Sequence, residues 1–330
     1  MARATETSEF TEETREYLDN TSLDQRKEHG QYFTPKSTRE KLLNFIPELK
    51  SPDVLDPAAG TGEFLLSAQE YFDSPRLQGW ELDEELVDRG RDVIPEAEIN
   101  QKNSLHENFK EQFDLVIGNP PYFEFKPEDE LRDRYDDVLY GRVNIYGMFF
   151  KLGLELLRPG GWLGFVVSTS MNNGAYFSEL RKYIVRNCDI KQMKILKDHE
   201  LFEGAQQSVM LIVLQKTENS GQYVFRKNDL MIFSQQAEEL QETLDNHKTL
   251  ADLGWDVKTG RVVWNENRDK LSDNPEDGVP LIWSSNIKRN GLQIPHDKDR
   301  PQYVDWDNVR TGPAIVVNRI TGAASKAEIR

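Results

Sequence analysis

Between Gly30 and Lys216, short apolar runs alternate with amphipathic stretches, and few folds accommodate that alternation. The runs are 53–56, 77–82, 97–100, 114–119, 161–167, 192–196 and 208–215. Between them the spacing predicts helices near 36–46, 62–72, 84–91, 146–157 and 174–186. Ile145, Phe149, Leu152 and Leu156 share one face at three- and four-residue steps, and Phe177, Leu180 and Ile184 repeat the pattern. Strands alternating with helices imply an α/β chain with a mostly parallel sheet covered on both faces.

The rest of the chain reads differently. Residues 1–29 are charged and weakly periodic, and we read them as a loose or marginally helical arm. The alternating region, 30–217, forms one domain. Residues 218–245 open on "TENSG" character and read as a linker or transition. Residues 246–330 are turn-rich, with Trp255, Trp264, Trp283 and Trp306, and predict an irregular, partly β domain. The last stretch contains a strand with no end cap, which leaves open whether the chain stops inside this domain.

Composition narrows the context. The longest apolar runs span about eight residues, against the roughly 20 needed to cross a bilayer. No signal-peptide pattern opens the chain, so a cytoplasmic protein without a membrane partner is expected. Cys188 is the sole cysteine, which excludes an intrachain disulfide and a cysteine metal site; no metal is expected. The net charge of −16 opposes a polyanionic partner in bulk. Either the partner is not nucleic acid, or basic residues gather in one cleft while the remaining surface is acid-rich, as in proteins adapted to high salt.

"VLDPAAGTGEFLLSAQEYF" is a strand, a glycine turn and a helix. Gly60 and Gly62 permit a tight turn and close approach of a ligand to the helix N-terminus. The third glycine of a dinucleotide fingerprint is missing, because Leu65 stands there. Asp56 ends the strand, where a carboxylate repels pyrophosphate but suits a sulfonium or ammonium. Glu81 follows Gly62 by 19 residues, the distance at which an acidic residue accepts ribose hydroxyls. A ribose without phosphate, plus a positive centre, describes S-adenosylmethionine. Upstream, Thr34 is expected as an N-cap with Pro35 at the first helical position. That helix start also suits a carboxylate.

These stretches, "QYFTP", "DPAAGTGEFL" and "NPPY", resemble the class I methyltransferases acting on amino groups. More narrowly the chain looks like the adenine-N6 DNA methyltransferases in which the target recognition domain follows the catalytic one. The resemblance spans roughly 25–330 and includes "NIYGMFFKLGLELLRPGGWLGFVVS". It implies a Rossmann-like catalytic domain and duplex DNA as substrate. It also implies a restriction–modification context, with the cognate restriction endonuclease encoded separately. By this resemblance Thr34, Asp56, Gly60, Gly62 and Glu81 contact the cofactor, Asn103 holds its adenine amino group, and Pro121 and Phe149 wall the adenine ring. Phe202 matches the position that closes on the far face of an extruded base.

An exocyclic adenine amine is a weak nucleophile because its lone pair is delocalised into the ring. The side-chain oxygen of Asn119 and the carbonyl of Pro120 can accept its two hydrogens and turn that lone pair toward the methyl group. Tyr122 offers a ring face for stacking, about 1–3 kcal/mol per base. Residues 126–142 form a long charged connector, either a flap or a solvated loop. In the last domain Lys288 and Arg289 are the expected DNA contacts, near Asn and Trp residues suited to phosphates and base edges. Methylation of RNA adenine or protein glutamine, and a non-catalytic DNA-specificity subunit, are the rival readings. A fused nuclease is disfavoured by the short arm.

Overall fold

The computed structural model describes residues 9–28, 30–196, 208–288, 291–294, 300–307, 309 and 312–317. They divide into two compact units, Met1–His247 and Lys248–Arg330.

Unit 1 is built on a seven-stranded sheet: β1 (Asp53–Asp56), β2 (Arg76–Glu81), β3 (Glu98–Gln101), β4 (Phe113–Gly118), β5 (Leu157–Ser168), β6 (Asp189–Ile195) and β7 (Val209–Gln215). The spatial order is β3-β2-β1-β4-β5-β7-β6. β7 runs antiparallel to both neighbours, and the other pairings are parallel. All seven expected strands form, within a few residues of the bounds read from sequence. β7 is apolar along almost its whole length because both its faces are covered.

Helices α3 (Lys36–Leu43), α4 (Glu63–Tyr71), α5 (Glu84–Val93), α7 (Tyr146–Leu156) and α8 (Ser178–Asn187) occupy the expected stretches. A short α6 (Asp129–Tyr135) lies in the charged connector. The two-residue period of the strands divides the core. Val54, Leu115 and Ile117 pack with Leu42 and Leu65 on one face, while Leu55 and Val116 pack with Phe150, Phe165 and Leu180 on the other.

Three local readings are corrected. The arm is helical: α1 (Glu12–Asn20) and α2 (Leu23–Glu28) form, with Thr11 as N-cap of α1. Residues 218–245 are not a linker. They fold as a hairpin, β8 (Val224–Lys227) and β9 (Leu230–Phe233), followed by α9 (Ala237–Asp245). Phe225, Phe233 and Ala237 are buried, and Phe233 joins the core beneath α7 and α8. Finally, Pro35 rather than Thr34 is the N-cap of α3, and no side chain caps that helix.

Unit 2 is irregular and partly β, as its turn-rich sequence suggested. β10 (Leu271–Ser272) and β11 (Val279–Pro280) flank β14 (Tyr303–Val304), and β12 (Ile287–Lys288) pairs with β13 (Gly291–Leu292), all antiparallel. Asn286 organises the unit from within: its side chain accepts from Trp283 N (2.6 Å) and donates to the Gln293 carbonyl (2.9 Å). It is fully buried, so it cannot serve as the base-edge contact its surroundings suggested.

Candidate active site

Strand order reverses between β1 and β4, and ligands of open α/β sheets sit beyond the carboxyl ends of strands at such a point. A cavity of about 610 Å³ opens there, within the range of small-molecule sites. Thr34, Asp56, Gly60, Glu81, Asn103, Asn119, Pro121 and Phe149 all line it. Gly62 does not. It sits behind the turn at φ +79°, where an added Cβ would press on Ile94 at 3.1 Å. Gly60 is also left-handed, at φ +54°, so the turn needs glycine for its backbone shape at both positions.

The turn also orients Glu81. Gly60 N donates to its Oε2 (2.8 Å), while Leu82 N and Asp83 N donate to Oε1 (2.7 and 3.0 Å). A carboxylate has about four acceptor sites, so the three amides leave one, on Oε2, for a ribose hydroxyl. Asn103 serves locally as a cap, its Oδ1 accepting from Leu105 N at 3.2 Å. The Thr34 hydroxyl is buried on the cavity wall and has no hydrogen-bond partner among the described residues. An orphaned hydroxyl on the wall fits a polar ligand group. The first amides of α3 are taken, Lys36 N and Ser37 N by Glu9 and Thr38 N by the Pro35 carbonyl, so the helix start is not the open carboxylate site the sequence suggested. Trp80, Leu105, Ile145 and Phe149 add an apolar wall.

Asp56 is 1% exposed, and its carboxyl is pushed up to about 8, by burial first and then by the Glu81 charge, against a hydrogen bond from Ala58 N. Gly118, last residue of β4, lies so close that a Cβ would stand 2.6 Å from Asp56 Oδ1. A folded pKa above the unfolded 3.8 means the native state holds a proton that the unfolded chain has lost. Native stability therefore falls as pH rises through that interval and levels off above about 8. A cation bound beside Asp56 favours the carboxylate. Saturating S-adenosylmethionine is accordingly expected to raise the melting temperature more at about pH 8 than at about pH 6, with Asp56→Asn flattening the difference. Equal shifts at both pH values would contradict a cation seated there.

The prolyl corner forms one boundary of this cavity. Asn119, Pro121, Phe123 and Phe125 line it, whereas Glu124 lines a second cavity of about 520 Å³. Asn144, Ser168, Ser170, Phe177 and Ser208 complete that second wall. Residues 119–125 thus partition two spaces at one sheet edge. Asn119 Nδ2 donates to the Tyr32 carbonyl (2.6 Å), and the Tyr122 hydroxyl donates to Asn119 Oδ1 and to the Val166 carbonyl. Here the structure departs from expectation. Asn119 Oδ1 is not fully open, and the Tyr122 ring packs between Tyr32 (5.8 Å) and Tyr146 (5.9 Å). The corner folds back over the end of β5, and its tyrosine finds a carbonyl there. Pro120 is buried within the corner. Phe202 lies outside the described residues.

Several neighbours of the site carried no sequence signal. Thr11 N and Oγ1 both donate to Glu63 Oε1 at 2.9 Å, and the Thr14 hydroxyl bonds that of Thr61 in the glycine turn at 2.7 Å. Arg39 pairs with Glu63 Oε2 (2.6 Å) and donates to the Thr34 carbonyl. The arm therefore braces the glycine turn. Tyr32 stands in the same "QYFTP" stretch as Thr34.

Comparison with known proteins agrees with this geometry. Residues 63–202 match the Eco57I restriction-modification methylase family. The modification methylase CviBIII of Paramecium bursaria Chlorella virus NC1A is 27% identical, covering 96% of this chain and 81% of its own. The type II methyltransferase M.BsuBI of Bacillus subtilis is 25% identical over 94% of this chain and 75% of its own. A Listeria monocytogenes structure described as a class I S-adenosylmethionine-dependent methyltransferase superposes with TM-score 0.50 at 23% identity, covering 56% of this chain and 61% of that one. A Vibrio vulnificus structure described as a modification subunit of a type I restriction enzyme gives 0.52 at 17%, covering 72% and 56%.

Sheet order and glycine turn give the chain the fold of class I S-adenosylmethionine-dependent methyltransferases, with the cavity where that fold binds its ligand. The Eco57I restriction-modification methylase model matches residues 63–202, and the curated relatives similar over most of the chain carry modification-methylase and type II methyltransferase names. Among the described residues no helix is long and apolar enough to cross a membrane, and no His, Cys, Asp or Glu group is arranged to hold a metal.

Proposed function

We propose that this enzyme methylates N6 of an adenine swung out of duplex DNA. The observation that carries the reading is the partition: a fixed amide, Asn119, stands on the wall of the cofactor cavity, with a second cavity across the corner. When bound, the cofactor supplies an electrophilic methyl on a sulfonium. The chain supplies position. Asn119 Oδ1 has two lone pairs, of which the Tyr122 hydroxyl uses one, leaving the other for an amine hydrogen. The Pro120 carbonyl takes the second hydrogen, and no amide of Pro121 competes for it. With its two hydrogens held by Asn119 and Pro120, the amine lone pair would face the methyl that a bound cofactor would supply, and one amine proton would leave to solvent. Orientation of this kind carries a large part of the barrier. An adenine in a stacked duplex cannot reach such a corner, so the base is extruded, and the second cavity is the space we assign to it.

Thr34, Asp56, Glu81 and Asn103 bind the cofactor in this scheme, with Pro121 and Phe149 against its adenine ring. Unit 2 reads the target. Lys288 is exposed on β12 as a DNA contact requires, and Arg289 lies outside the described residues. The enzyme works in the cytoplasm beside a separately encoded restriction endonuclease.

The test is transfer of labelled methyl from S-adenosylmethionine to duplex DNA, RNA and protein, followed by nucleoside analysis. N6-methyladenine in duplex DNA is expected. Label confined to cytosine, RNA or glutamine would overturn the proposal.

A further inference from the structure

Over residues 129–138 the charged connector is neither a flap nor a solvated loop, because α6 and the turn after it are tied down on two sides. Arg134 lays its fork on two carbonyls of the loop beyond β3, Nη1 on Leu105 (3.1 Å) and Nη2 on Glu107. The neighbouring Tyr135 hydroxyl donates to the same Leu105 carbonyl at 3.0 Å, so both lone pairs of that oxygen are used. Tyr135 is fully buried, and burial pushes its pKa up against the Arg134 charge, which keeps the hydroxyl a donor. From the other side Lys151 of α7 donates to the Arg134 carbonyl (2.6 Å) and to Asp137 Oδ1 (2.7 Å).

The loop gripped in this way has few supports of its own. β3 is an edge strand, so no strand flanks it on the outer side. Ser104–His106 form a single 3₁₀ turn, with the weaker hydrogen-bond geometry of that helix type. On the inner side Ser104 Oγ donates to the Pro57 carbonyl (2.5 Å). Asn103, Ser104 and Leu105 line the cofactor cavity. Leu105 is pinned at both ends of its backbone: its N–H donates to Asn103 Oδ1 (3.2 Å), and its carbonyl is held by Arg134 and Tyr135. The consequence falls on the Asn103 amide. Turned over, that amide would set Nδ2 against the Leu105 N–H, donor against donor. With Leu105 fixed, Oδ1 takes the N–H and keeps a second lone pair as an acceptor.

We propose that Arg134 and Tyr135 are positioning residues that lock the Asn103 amide in its accepting orientation, and so make the cofactor pocket selective for adenine over a purine with a carbonyl in place of the amino group. Adenine presents a donor to Asn103 Oδ1, whereas hypoxanthine presents an oxygen that finds no partner there. The inference rests on the proposed placement of the cofactor's adenine at Asn103, and its test separates the two. Calorimetric affinities of the full chain are measured for S-adenosylhomocysteine and S-inosylhomocysteine. Wild type should favour the adenine form about tenfold or more, because the other form leaves a buried acceptor without a donor. In Arg134→Met/Tyr135→Phe, Leu105 is released, the amide can turn and donate, and the preference should shrink about fivefold. Arg134→Lys, a point charge that cannot span two carbonyls as a fork does, should fall between. General loosening of the fold would weaken both ligands alike and leave their ratio unmoved. A double variant with the wild-type ratio overturns the positioning role alone. A wild-type protein that binds both ligands equally, or neither, overturns the placement of adenine beneath it.

Discussion

Asn119→Ala is expected to slow methyl transfer about 10²–10³-fold, comparable to removing one preorganised hydrogen-bonding group from an active site. The Asn119 amide is held at both ends, Nδ2 by the Tyr32 carbonyl at 2.6 Å and Oδ1 by the Tyr122 hydroxyl. Alanine removes the acceptor that orients the amine and the Nδ2 donation to the Tyr32 carbonyl. The cofactor cavity is otherwise unchanged, so S-adenosylmethionine should bind within about threefold of wild type. Tyr122→Phe isolates one anchor: its ring stays between Tyr32 and Tyr146 while the hydroxyl is lost. A smaller loss, about fivefold, is expected, in line with about 1 kcal/mol for a single hydrogen bond. Single-turnover transfer of labelled methyl, measured beside cofactor affinity, checks both. An Asn119→Ala enzyme that transfers at the wild-type rate would remove the amide from the mechanism.

The buried ion pair behind the glycine turn gives the second large effect. Arg39 is 1% exposed and Glu63 6%, and they meet at 2.6 Å. Arg39 also bonds the Ser67 hydroxyl and the Thr34 carbonyl, and Glu63 accepts twice from Thr11. Burial alone pushes the Arg39 pKa down, and the Glu63 charge is the largest effect opposing it. Glu63 also stands at the start of α4, where the helix dipole favours a carboxylate. Removing one partner strands the other charge in the interior, at a cost of about 3–5 kcal/mol. Arg39→Met and Glu63→Gln should therefore each lower the unfolding midpoint of unit 1 markedly. The double variant Arg39→Met/Glu63→Gln, with no orphaned charge, should be more stable than either single variant. Denaturant unfolding of all three settles the point, and additive losses would show that the pair is not coupled. Arg39→Met should also weaken cofactor binding, since it releases the Thr34 carbonyl beside the cavity.

Apolar runs, their spacing and the turn residues were sufficient to place all seven strands of the main sheet and the five principal helices. These signals are local: a buried parallel strand must be apolar, and a left-handed turn must carry glycine, wherever the chain runs next. Gly60, Asp56, Glu81 and Asn119 were legible as cavity-lining residues for the same reason, Asp56, Glu81 and Asn119 at or just past strand ends and Gly60 in the turn after β1. What sequence could not convey lies in pairings between distant residues. Thr14 meets Thr61 across 47 positions and Asn119 meets Tyr32 across 87, so no periodicity marks the arm as a brace or Tyr32 as the amide's partner. The hairpin and α9 at 224–245 are short, and Phe233, docked on a core built elsewhere, with buried Phe225 and Ala237, holds them in place. The Tyr122 hydroxyl meets its second acceptor only because β5 ends beside β4. Local chemistry determined which elements and motifs this chain has. Only the tertiary structure decided which side of the prolyl corner each side chain occupies, because that depends on strands brought side by side from far apart in the sequence.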